Sequence, residues 1–92
     1  MDRLNNWLTL EQINERVTTD LVHGTPLAEI DQYFTSNNVE HSYVARTNEV
    51  YAMIHSIWGG GILTRKDAWI KIQLDQDRKL GGIKVEPVFT GP

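Results

Sequence analysis

Cysteine is absent from the 92 residues of this chain. Its absence excludes a disulfide framework, a thiolate nucleophile and a structural zinc site of the cysteine kind. Long apolar runs are also lacking, since no stretch approaches the roughly 18 to 20 residues that a helix needs to cross a bilayer. We therefore expect no membrane-spanning segment.

The compartment stays open at this point. Residues 1–20 show neither the basic start nor the apolar run of a signal peptide. If a signal segment has been removed, we expect the periplasm or cell envelope, and otherwise the cytoplasm. Met1 fits both alternatives, because it can be native or can replace the leader of a trimmed precursor.

Basic residues are not in excess. Nine Lys and Arg stand against twelve Asp and Glu, which gives a formal net charge of −3, and the two signs are interspersed. A protein that binds nucleic acid draws much of its affinity from a basic surface that neutralises phosphates. We therefore expect no nucleic-acid partner.

Catalytic motifs are missing as well. The chain has no Gly-x-Ser-x-Gly element, and Ser42 would point to the opposite strand face from its neighbour His41. Gly59–Gly61 lacks the Lys-Ser/Thr that completes a phosphate-binding loop. These absences predict a protein that is not an enzyme and carries no cofactor.

The composition is that of a globular chain, with 40% hydrophobic and 23% charged residues. Its length predicts a single domain over residues 1–92. Because so short a chain buries a limited share of its surface, a protein partner or a second copy would add stability. A homodimer is one of the alternatives that the sequence leaves open.

The first 38 residues carry helical signals. Thr9 and Gln12 form a capping box, and an apolar stripe with helical spacing predicts a helix over 10–22 that Gly24 ends. Thr25 as N-cap and Pro26 at the first helical position predict a second helix over 26–36. The expected buried positions of the two helices are Leu10, Ile13, Val17, Leu21, Leu27, Ile30 and Phe34.

After residue 38 the period changes from 3.6 to 2, which is typical of strands. Strands are predicted over 39–45 and 50–57 with a turn at 47–49, then around 68–74, and finally over 80–89. Pro87 places the last strand at a sheet edge. The order of elements predicts an α+β fold, ααββββ, in which two N-terminal helices pack on one face of a three- to four-stranded antiparallel sheet.

Two histidines give the sharpest chemical hypothesis. A turn at 47–49 would place His41 directly opposite His55, and opposed side chains have Cβ atoms about 4.5–5.5 Å apart. Two imidazoles at that distance can share a metal ion or a proton, and the chain would then be a small metal-dependent or acid–base enzyme centred on His41 and His55. Because no third ligand is evident, the alternative is a pair of half-buried structural histidines.

The same register would gather aromatic and thioether side chains on one face. Tyr43, Tyr51 and Met53 would share it, and Trp58 would stand beside it in a glycine-rich loop. Tryptophan and tyrosine are enriched where proteins bind one another. These four residues form the predicted contact surface for a protein partner, although Trp58 could instead fold back over the core.

Two segments carry a resemblance to a known family. The pattern Leu21-x-x-Gly24-Thr25-x-x-x-Glu29-Ile30, followed by Ile72-x-Leu74-Asp75-x-Asp77-x-Lys79-Leu80, resembles the small SmpA/OmlA (BamE-like) domains of the bacterial envelope. The resemblance implies a helix pair on a short antiparallel sheet. It also implies a non-catalytic accessory domain of an envelope complex that offers its sheet face or loops to another protein. Small inhibitors of enzymes use similar units, so inhibition is a second hypothesis.

Overall fold

The computed structural model describes residues 4–91, so Met1 lies outside the described range. Its elements are α1 (Leu10–Asp20), α2 (Leu27–Ser36), β1 (Glu40–Val44), β2 (Glu49–Ile54), β3 (Arg65–Leu74) and β4 (Leu80–Thr90). The strands form one antiparallel sheet in the order β1-β2-β3-β4. The predicted α+β class is confirmed, and Pro87 lies in an edge strand as expected.

Neither helix in residues 4–91 is long and apolar enough to cross a bilayer. The helix α1 begins as predicted, because the Gln12 N–H donates to the Thr9 hydroxyl at 3.2 Å and the Gln12 amide oxygen accepts from the Thr9 N–H at 2.9 Å. It ends at Asp20, two residues earlier than expected. Gly24 has the left-handed φ of +89° that its position required.

The predicted N-cap of the second helix is wrong. Pro26 occupies the cap position without a side-chain cap hydrogen bond, and the helix begins at Leu27. The Thr25 hydroxyl instead donates to the Val22 carbonyl at 2.6 Å, and the Thr25 carbonyl accepts from the Leu80 N–H at 2.8 Å. The contact with the first residue of β4 therefore decides the conformation of Thr25.

The register of the first hairpin also differs from the prediction. The strands β1 and β2 pair His41 with Ala52, and the turn occupies residues 45–48. Asn48 takes a left-handed φ of +55°. Its side-chain amide nitrogen, Nδ2, donates to the Leu74 and Asp75 carbonyls at 3.1 and 2.8 Å. The register moves by three residues, and an odd shift exchanges the faces of one strand relative to the other.

Both helices pack on one face of the sheet, which we call the inner face. The core contains Ile13 and Val17 from α1 with Ile30 and Phe34 from α2. The inner-face residues that complete it are Val50, Ala52, Ile54, Ala68, Ile70, Ile72 and Leu74. The positions that alternate with these along β2 and β3, such as Tyr51 and Trp69, project from the opposite, outer face.

Candidate binding surfaces

His41 lies on the inner face at the edge formed by β1. Its Nε2 is 2.7 Å from an Asp31 carboxylate oxygen, and its Nδ1 is 2.8 Å from the Val39 carbonyl. The imidazole centroid lies 5.6 Å from that of Phe34. His41 therefore joins the first strand to α2.

His55 follows β2 and faces different partners. Its Nε2 is 3.3 Å from a Glu40 carboxylate oxygen, and its Nδ1 is 3.4 Å from Asp67. The predicted opposition of His41 and His55 is wrong, because the register pairs His41 with Ala52. Within residues 4–91, no group of three or more His, Cys, Asp or Glu side chains could hold a metal ion.

Tyr43 is separated from the other predicted contact residues. It pairs with Val50 and packs against the core, and its hydroxyl donates to the Asn48 amide oxygen at 2.9 Å. The expectation that Tyr43 shares a face with Tyr51 and Met53 is therefore wrong. In this position Tyr43 supports the turn that sets the register.

Tyr51 and Met53 lie on the outer face beside Trp69, a residue that is not among the predicted contact residues. The Tyr51 and Trp69 ring centroids are 5.7 Å apart, and the Lys71 ammonium lies 4.5 Å from the Trp69 ring centroid. The sequence does contain a signal for the exposure of Trp69. This large aromatic residue lies on the strand face whose next two positions are the polar residues Lys71 and Gln73.

The connection between β2 and β3 exposes large apolar side chains. We call Trp58, Ile62 and Leu63 the apolar loop; they are 62%, 100% and 72% exposed, and Phe89 near the end of β4 is 60% exposed. The three loop residues line an open groove together with the glycines between them and Thr90. Trp58 thus points into solvent and does not fold back over the core.

The base of the apolar loop is fixed by hydrogen bonds. Asp67, which is buried, accepts from the Ser56 N–H at 2.8 Å and lies 3.2 Å from the Arg65 Nε. The Ile57 N–H donates to the Lys66 carbonyl at 2.8 Å, and the Trp58 N–H donates to the Leu8 carbonyl at 3.3 Å. A firmly held base therefore presents an exposed apolar tip.

The shape of this loop depends on Gly60. A Cβ at Gly60 would lie 2.9 Å from the Thr64 carbonyl oxygen and 3.2 Å from the Lys66 nitrogen, whereas a Cβ at Gly61 would meet its nearest atom at 4.0 Å. We expect Gly60→Ala to lower the free energy of unfolding by about 1–3 kcal/mol. Gly61→Ala, the matched control, should change it by less than about 0.5 kcal/mol. Urea unfolding followed by tryptophan fluorescence measures both, and equal effects would contradict the loop geometry.

A comparison of the chain with protein-family models, with curated proteins and with solved structures finds no match. The resemblance to the SmpA/OmlA domains therefore stays a prediction.

Proposed function

We propose that the chain is a non-enzymatic, protein-binding accessory domain whose contact surface is the apolar loop together with Phe89. The observation that carries the proposal is the clustering of strongly exposed large apolar side chains around one groove. Burying a side chain such as isoleucine or leucine against a partner contributes about 1.5–3 kcal/mol. Scattered single apolar residues are ordinary on a surface, but a cluster of this kind is typical of an interaction site.

The charges around the apolar loop indicate the chemistry of the partner. Arg65 is compensated by Asp67, but Lys66 lies 5.7 Å from the Phe89 ring centroid and has no ion-pair partner within residues 4–91. We infer a partner protein with an apolar pocket rimmed by acidic side chains. The resemblance to the SmpA/OmlA domains supports a place in a bacterial envelope complex.

An inhibitor of an enzyme is a second candidate, favoured by the fixed base of the apolar loop. A loop that is already ordered loses less conformational entropy when it binds. Under this alternative, the partner would be an enzyme whose activity falls when the purified chain is added in equimolar amount.

Photo-crosslinking tests the proposed surface directly. A photoreactive amino acid at Ile62 should give a discrete adduct with one protein in the cells that produce the chain. The same group at Gln76, an exposed residue in the turn between β3 and β4, should not give that adduct. Equal adducts from both positions would contradict the proposal.

The crosslinked protein can then be purified and its affinity measured. Trp58→Ala should weaken binding at least tenfold, since a central tryptophan commonly dominates an interface. Val22→Ser is the control, because Val22 is a similarly exposed apolar residue in the connection between the helices. Unchanged affinity with Trp58→Ala, or an equal loss with Val22→Ser, would refute the apolar loop as the contact surface.

A further inference from the structure

The outer face carries charged side chains in two neighbouring rows that run across the sheet. The strand register places Ser42, Tyr51, Lys71 and Lys84 in one row, and Glu40, Met53, Trp69 and Glu86 in the next. The first row has two cations at its β4 end, Lys71 and Lys84. The second row has a carboxylate at each end, Glu40 and Glu86. Between the charged ends lie the half-buried side chains of Tyr51, Met53 and Trp69.

This arrangement is complementary to itself. A two-fold axis can lie parallel to the face, perpendicular to the strands and between the two rows. Such an axis would place the first row of each copy on the second row of the other copy. Lys84 would then face the second copy's Glu86, and Lys71 would face its Trp69. Tyr51 would lie on Met53, so that opposite charges meet at one end and apolar groups meet at the centre.

We propose that the outer face binds a second copy of this chain in that orientation, forming a homodimer with two sheets packed face to face. Sheets packed in this way lie about 10 Å apart with strands about 30° from parallel, which long lysine and glutamate side chains can span. This interface goes beyond the proposed function, because it uses a different surface from the apolar loop and leaves that loop free.

The charges also select this orientation over the other symmetric one. A two-fold axis parallel to the strands would place β1 of one copy on β4 of the other, so that Glu40 would face Glu86 at both ends of the interface. Like charges brought together in this way oppose association. The perpendicular axis replaces each of these contacts with a contact between Lys84 and Glu86.

The ammonium of Lys84 already lies 3.1 Å from the Glu86 carboxylate within one chain. In the dimer, both groups would also face their counterparts across the interface, which forms a four-membered network of alternating charge. Such a network is more favourable than an isolated surface pair. The aromatic centre would lose its remaining contact with water.

Charge reversal tests the interface with two complementary variants. Sedimentation velocity over a range of concentrations should show wild-type dimers, whereas Lys84→Glu and Glu86→Lys should each weaken dimerisation at least tenfold. Each variant places like charges opposite one another twice across the two-fold axis. An equimolar mixture of the two variants should dimerise again, because each chain then faces the opposite charge.

The mixture separates contacts between chains from contacts within a chain. Neither variant regains an opposite pair within its own chain, so restoration in the mixture requires the charges to meet across the interface. Arg46→Glu makes the same change of charge as Lys84→Glu, but in the turn between β1 and β2, and it should dimerise like wild type. Trp58→Ala should also dimerise normally, because the apolar loop lies outside this interface.

Three results would overturn the proposal. Wild-type chain that stays monomeric at about 1 mM would exclude the dimer at any relevant affinity. Normal dimerisation of both charge variants would place the dimer contact on another surface. A mixture that stays monomeric, when circular dichroism shows both variants to be folded, would exclude the orientation defined by the two rows.

Discussion

Replacing Phe34 by alanine should lower the free energy of unfolding by about 3–5 kcal/mol, the cost of removing a buried phenylalanine from a core. Phe34 is 0% exposed, and its ring contacts Tyr33 at 5.4 Å and His41 at 5.6 Å between centroids. The contact with His41 joins α2 to β1. A domain of this size has only about 5–15 kcal/mol of stability, so the variant should be close to unfolding.

Urea denaturation followed by circular dichroism measures this effect. Phe89→Ala provides a matched control, because Phe89 is exposed and its removal should change the free energy of unfolding by less than about 0.5 kcal/mol. Phe34→Leu, which retains most of the apolar volume, should lose distinctly less stability than Phe34→Ala. An equal cost at Phe34 and Phe89 would show that the core is not where the structure places it.

Asp67→Ala should have the second largest effect, a loss of about 2–3 kcal/mol in the free energy of unfolding. The substitution leaves the Ser56 N–H without its acceptor at the base of the apolar loop, and it removes the carboxylate beside Arg65 and His55. Asp67→Asn keeps an acceptor for the N–H but not the charge, so about half of the loss is expected. Asp77→Ala, in an exposed turn, should be nearly neutral.

The same carboxylate should make stability depend on pH. Burial alone would raise the pKa of Asp67, but the Ser56 N–H, His55 and Arg65 outweigh burial and hold the pKa below its ordinary value of 3.8. A carboxyl whose pKa is lower in the folded chain stabilises the fold above its unfolded pKa. This contribution is lost as the pH falls through the lowered pKa.

The free energy of unfolding of the wild type should therefore fall more steeply below about pH 4 than that of Asp67→Asn. Thermal unfolding at a series of pH values compares the two proteins directly. If both curves fall in parallel, the charge of Asp67 does not contribute to folding in the way the contacts indicate.

The helices were predictable because their signals are local. Thr9 and Gln12 lie within one turn, so the capping box was readable without knowledge of the rest of the fold. Thr25 shows where this stops, since its conformation depends on Leu80, a residue far away in sequence. Local preference gives way when a distant backbone partner is available.

The candidate sites were less predictable, because they depend on register. The sequence indicated the strands correctly, but the turn that sets the register depends on Asn48 bonding to Leu74 and Asp75 in another hairpin. An odd error in register exchanges faces, which is why His41 and Tyr43 were grouped wrongly with residues of the outer face. For Trp58 the sequence left two alternatives open, exposure in the glycine-rich loop or folding back over the core, and the structure shows it exposed.

The hydrogen bonds of Gly24 and Thr25 with Leu80 have a consequence for the order of folding. Each strand pairs with the next along the chain, so every ladder is a hairpin that closes over a short distance. The connection between the helices, however, is tied to the last strand. During synthesis the helices leave the ribosome before the strands, yet their docking site is completed only when β4 has emerged, so their apolar stripes are not fully covered until β4 has been synthesised.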